Sequence, residues 1–264
     1  MSNFSPNLPD PWSGLRRHTP ARIALGRAGG SLPTKAVLEF AVAHAAARDA
    51  VHAALDIDAL AESLRELGLG AIQLSSRALD RATYLHRPDL GRRLDAPSLS
   101  QLRQLPPGEI DIVIIIGDGL SAPAPQQQAL PLLRELIPLL QADGLRIGPI
   151  CIVREARVAI EDEIGAELRA RAAVILVGER PGLGSADSLG AYLVFDPKIG
   201  RTDAERNCVS NIRPGGLGVK AAAATLHYLI AESLRRRISG VALKDERVLP
   251  SEYLADCRKE ASAP

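Results

Sequence analysis

Two glycine-rich stretches follow directly on apolar, β-branched runs: DIVIII (Asp111–Ile116) leads into GDGLSAPAP (Gly117–Pro125), and AVILV (Ala173–Val177) leads into GERPGLGSADS (Gly178–Ser188). If the runs are buried parallel strands, both loops lie outside strand carboxyl ends, where open α/β sheets bind ligands. Glycine there allows close backbone approach or a left-handed turn, and exposed amides can meet polar ligand groups. Either loop alone reads equally well as a strand-ending turn, whereas the two together point to a binding crevice. Glu179 is the carboxylate that opens the second loop. Further on, Cys208 stands among Arg206, Asn207, Ser210, Asn211 and Arg213 in RNCVSNIRPGG. Such a polar setting suggests a functional thiol, against the usual state of a free cysteine as a small buried hydrophobe.

The six residues Gly117–Ala122 also fit G-x-G-x-x-[GA], the dinucleotide fingerprint, so a Rossmann-type nicotinamide- or flavin-binding oxidoreductase is the competing reading. The fit is poor. Pro123 and Pro125 are expected to disturb the helix start that should hold a pyrophosphate, and no acidic residue ends the next strand to meet a ribose. Neither G-x-x-x-x-G-K-[ST] nor G-x-S-x-G occurs, which removes the simplest nucleotide hydrolase and serine hydrolase proposals. His18, His44, His52, His86 and His227 have no paired metal-ligand spacing; His44 and His52 share a helix face without a carboxylate or thiol beside them. Arg235–Arg237 reads as a solvated helix end.

The elements that must hold these loops follow from periodicity. Four prolines, Pro6, Pro9, Pro11 and Pro20, make residues 1–30 an irregular arm. A helix begins near Pro33 and runs to about Leu55; with small apolar residues on most faces it should be largely covered. Asp58 is placed to cap a second helix that Gly68 stops, and AIQLSS (Ala71–Ser76) has strand character, so residues 31–105 read as mainly helical. From Glu109 onward, continuous apolar runs alternate with helical stretches as βαβαβ: DIVIII, then PQQQALPLLRELIPLL, then IGPICIV (Ile147–Val153), then EDEIGAELRARA, then AVILV. SLGAYLVF (Ser188–Phe195) can add a strand, and Ala221–Arg237 a closing helix with its arginines in the last turn, where they suit the helix dipole. The expected fold is α/β, a mainly parallel buried sheet with flanking helices over residues 106–244, preceded by a helical region and followed by a polar tail at 245–264.

Composition bounds the class. The 264 residues suffice for a substantial core, and a formal charge of +1 gives no field to attract nucleic acid or an anionic membrane. Cys151, Cys208 and Cys257 are odd in number and far apart, which suits reduced thiols in a cytoplasm and excludes a zinc ribbon. The opening MSNFSPNLPDPWSG has no apolar run that would make a signal peptide or a membrane span.

Six stretches taken together resemble the small subunit of ethanolamine ammonia-lyase: TPARIALGRAG (Thr19–Gly29), YLHRPDLGRRL (Tyr84–Leu94), IIGDGLSA (Ile115–Ala122), VREARVAIEDEIG (Val153–Gly165), LVGERPGLGSADSLGAY (Leu176–Tyr192) and RNCVSNIRPGGL (Arg206–Leu217). Their order and spacing make the combination specific. The resemblance implies an α/β domain paired with a barrel-shaped large subunit, with adenosylcobalamin between them, and contacts to that cofactor from Val158, Glu179 and Cys208. It implies no catalytic residue and no metal ligand on this chain. The signature D-x-H-x-x-G, which puts a histidine on cobalt, is missing, so the cofactor is expected to keep its own base. Homolysis of its cobalt–carbon bond would start the conversion of ethanolamine to acetaldehyde and ammonia, substrate contacts lying mainly on the large subunit. Some members carry a longer N-terminal extension associated with a bacterial microcompartment; only residues 1–14 precede the matching region here, so the expected location is the cytoplasm, with microcompartment entry left open.

Overall fold

The computed structural model describes residues 7–8 and 10–247. Cys257 and the tail from residue 248 lie outside the described residues, as do Pro6 and Pro9. In the arm, β1 (Asn7–Leu8) pairs antiparallel with β2 (Arg27–Ala28), and a 3-10 turn at Ser13–His18 lies between them. Then come α1 (Thr34–His52), α2 (Ile57–Glu66), β3 (Ala71–Ser75), α3 (Arg81–His86) and α4 (Ala96–Arg103). The remainder alternates as the apolar runs require: β4 (Ile112–Gly117), α5 (Pro123–Ala142), β5 (Ile150–Arg154), α6 (Ile160–Glu167), β6 (Ala172–Gly178), β7 (Leu189–Phe195), β8 (Arg206–Ile212) and α7 (Val219–Arg236).

The six longer strands form one sheet in the order β3-β5-β4-β6-β7-β8. The first four run parallel, β7 runs antiparallel to β6, and β8 runs antiparallel to β7. β4 and β6 are buried along their whole length, which is why they read as unbroken apolar runs. One face packs on α2, α5 and α7 through Leu64, Leu132, Leu136, Leu226 and Ile230. The other packs on α4 and α6 through Leu102, Ile160 and Ile164. α6 is only eight residues long, and on its side of β8 Cys208 and Ser210 remain exposed.

Several expectations need correction. α1 ends at His52, not Leu55, and of its residues only Ala50 is buried. No other element of the described chain covers its length, so an apolar composition has not produced a covered helix. The cap of α2 is Asp56, whose side chain accepts from the Ala59 N–H; Asp58 sits in the first turn and accepts from Gln73 instead. Pro123 and Pro125 do not disturb α5. The helix starts at Pro123, because the first turn needs no donor for the intrahelical ladder and the fixed proline angle suits it. β3, from the segment that reads as mainly helical, pairs with β5 and joins the same sheet.

Candidate functional site

Asp118 follows the end of β4, 5 % exposed, and its carboxylate accepts three backbone amides: Gly119, Glu155 and Ala156, each at 2.9 Å. It thereby ties the loop after β4 to the loop after β5. Arg81 reaches the same place, 2.8 Å from Glu155 and 3.7 Å from Asp118. Burial first, and then the Glu155 charge, push the Asp118 acid up to about 6.

The fingerprint glycines serve protein packing. A Cβ on Gly117 would lie 2.6 Å from the Ala156 Cβ, and one on Gly119 would overlap the Gly178 carbonyl oxygen. Gly119 also holds φ at +61°. The Leu120 amide donates to the Gly178 carbonyl (2.9 Å), and the Ser121 hydroxyl donates to that of Ala186 (2.5 Å). The two glycine-rich loops therefore close on each other, and the space a pyrophosphate would need beside them is filled by backbone.

Glu179 leaves the end of β6. Its carboxylate accepts from Ser188 (2.6 Å), Ser210 (2.5 Å) and the Asn211 amide (3.3 Å). The last two belong to a bulge in β8: Leu189 faces Ile212 and Ala191 faces Val209, leaving Ser210 and Asn211 opposite Gly190 alone. Asn211 has φ +60°, within reach of asparagine because its short polar side chain tolerates the left-handed region. Glu179 thus seats on the bulge beside Gly190, where a Cβ would stand a tight 3.0 Å from Glu179 Oε1.

Cys208 lies in β8 directly across from Tyr192 of β7. Desolvation of the sulfur, together with the Glu179 charge, holds the thiol above its ordinary range. Cross-strand neighbours share a sheet face. Tyr192 and Val158 pack against the same cluster beneath α4 and α6. Glu179 is two residues beyond Val177 of that cluster and beside Tyr192 at the Gly190 contact, so Val158, Glu179 and Cys208 all belong to the α6 side of the sheet.

Val158 also lines a cleft of about 680 Å³ with Arg92, Arg157, Asp162, Arg201 and Asp203. Arg157 stacks on Tyr84, 4.1 Å from the ring centroid, and its Nε is buried without a partner among the described residues. At the floor, Arg206 bridges Glu161 (2.6 Å) and Asp162 (2.7 Å), fixing the start of α6 to the start of β8. Burial holds Glu161 well above the carboxylate range despite Arg206. Neither this triad nor the Asp118 clasp is apparent in the sequence, since both join residues far apart in the chain.

The separate sequence motifs prove to be one hydrogen-bonded body. Arg22 donates to the Leu183 carbonyl (3.3 Å), Tyr84 to that of Ala156 (3.1 Å), the Arg157 amide to that of Gly91 (2.7 Å) and the Leu94 amide to Glu163 (2.6 Å). Asp118, Ser121, Glu179 and Arg206 supply the rest. Residues 9–244 match the family model described as "Ethanolamine ammonia-lyase light chain (EutC)". The chain belongs to that family. It is 55 % identical over 249 residues to the ethanolamine ammonia-lyase small subunit of Azotobacter vinelandii, covering 93 % of this chain and 92 % of that protein. Its identity to the small subunit from Pseudomonas putida strain W619 is 53 %, with the same coverage. To that from Ralstonia nicotianae it is 52 %, covering 91 % and 90 %. The light-chain family match takes in the arm from residue 9, the whole sheet and every motif of the network. It favours no dinucleotide enzyme.

Proposed function

We propose that this chain is the small subunit of an adenosylcobalamin-dependent ethanolamine ammonia-lyase, supplying one wall of the cofactor site while the large subunit supplies the other wall and the substrate contacts. The observation that carries the reading is the common placement of Val158, Glu179 and Cys208 on one side of the sheet, where Cys208 is exposed.

The donor set suits a corrin. Its rim carries amides that both donate and accept, and its nucleotide tail carries a phosphodiester. Glu179 spends three of roughly four carboxylate acceptor positions on protein donors, which leaves one for a ligand amide. Val158 offers apolar surface. The Nε of Arg157, buried without a partner among the described residues, is unused donor capacity beside it. When bound, adenosylcobalamin supplies the radical that begins removal of ammonia from ethanolamine to leave acetaldehyde. This chain's part is to seat and orient: Ser188, Ser210 and the Asn211 amide hold Glu179 in one rotamer, and β8 sets Cys208 directly across from Tyr192. No proton transfer on this chain is needed.

The test is cobalamin dissociation from the assembled complex. Glu179→Gln should weaken binding about 5- to 30-fold, the 1–2 kcal/mol scale of a charge-assisted hydrogen bond, while the cofactor-free complex keeps its thermal stability to within a few degrees. Cys208→Ala should be milder. If Glu179→Gln leaves cobalamin affinity unchanged while the cofactor-free complex comes apart, Glu179 is a structural residue of the β8 bulge and the site assignment fails there.

A further inference from the structure

Eight of the fourteen large apolar side chains exposed among the described residues lie between residues 12 and 42, in the arm and the first half of α1. Trp12 is 67 % exposed, Leu38 60 % and Val42 71 %; Leu32, Val37 and Phe40 are about half exposed. Scattered exposed apolar residues are ordinary, but eight concentrated in one arm and the start of one helix mark a surface that something covers. At very roughly 100 Å² for each side chain, the eight approach the ~800 Å² that each partner buries in a stable interface.

The shape of the patch selects the occupant. α1 is held to the body near its C-terminal end, where Arg81 donates to the Val51 carbonyl (2.5 Å) and Ala50 is buried. Before that end it is exposed around its circumference, and TKAVLEFAVAHAAA is apolar on most faces. Two copies of one helix packed about a two-fold axis cover a single stripe on each. A helix that is apolar all round is instead covered from several sides at once, as in the interior of a larger protein. The arm also adjoins the proposed cofactor side, because Arg22 is bonded to the Leu183 carbonyl in the loop that begins with Glu179.

We infer that the arm and α1, from Trp12 to about Val42, form an anchor that inserts into an apolar groove of the lyase large subunit. This rests on the small-subunit reading proposed above and adds to it the surface that docks. The same engagement draws the large subunit over the loop at residues 178–188 and so closes the cofactor face.

The full chain is produced with the large subunit as wild type, as the double variant Leu38→Glu/Val42→Glu, and as Val241→Glu, a control at another exposed apolar site. Affinity for the large subunit is measured by sedimentation, and hydrogen exchange of amides 34–52 is followed in the isolated chain and in the complex. The double variant should melt with the wild type when alone, because both side chains already face solvent, yet bind the large subunit at least tenfold more weakly. Val241→Glu should bind as wild type does. Amides 34–49 should gain protection only in the complex. Wild-type affinity in the double variant overturns the anchor and leaves the small-subunit reading intact, whereas failure of the wild-type chain to bind the large subunit overturns both. Loss of self-association in the double variant, with large-subunit affinity unchanged, would assign the patch to a second copy and overturn the proposal. Protection of α1 in the isolated chain would assign its cover to this chain's own termini and overturn the proposal as well.

Discussion

At the scale of single residues, the site is built on carboxylates that face inward and are used by the backbone. Asp118 gives the clearest consequence. Its folded pKa of about 6 stands above the ordinary unfolded value of about 3.9, so the folded chain holds this proton more tightly than the unfolded chain does. Its contribution to stability is therefore fully present below about pH 4 and is lost as pH rises through about 6, on the order of 3 kcal/mol by linkage. Urea unfolding of wild type and Asp118→Asn at pH 4 and pH 7 isolates the effect: the wild-type advantage should shrink by about 1–3 kcal/mol between them. An advantage independent of pH would show that Asp118 stays ionised throughout. Glu179 and Cys208 are visible in the sequence because their segments are distinctive. Asp118 is visible there only as part of a fingerprint it does not serve, since its true partners, the Glu155 and Ala156 amides, lie 37 and 38 residues away.

At the scale of elements, long continuous patterns are legible and interrupted ones are not. β4, β6, α5 and α7 follow from apolar runs and helical periodicity that their own sequences contain. β8 reads only as a polar segment, because the bulge at Ser210 and Asn211 breaks the period-two alternation a strand should show. What fixes β8 is tertiary, the buried bridge from Arg206 to Glu161 and Asp162. Arg206→Met should cost about 3–5 kcal/mol, because the buried Asp162 loses its cation and the buried Glu161 loses its hydrogen-bond partner. It should also loosen the strand that carries Cys208. Equal melting temperatures for Arg206→Met and wild type would remove the triad from this account. Gly119→Ala should be similarly severe, since a Cβ there runs into the Gly178 carbonyl in a left-handed backbone conformation. A soluble, fully stable Gly119→Ala chain would mean that the two glycine-rich loops are not locked together.

At the scale of the whole molecule, the chain carries a well-packed α/β body, one uncovered side holding the proposed cofactor contacts, and an apolar arm and helix that nothing in the described chain covers. No described helix is long and apolar enough to cross a membrane, so that exposed helix is not a membrane span. On the proposed reading this arrangement is half a site, whose opposing wall a second chain would supply. The most direct measurement is acetaldehyde release from ethanolamine, with the purified chain alone, the purified large subunit alone, and the two together, each with and without adenosylcobalamin. Turnover should appear only when both chains and the cofactor are present; turnover by this chain alone, or by the large subunit at the full rate of the pair, would contradict it.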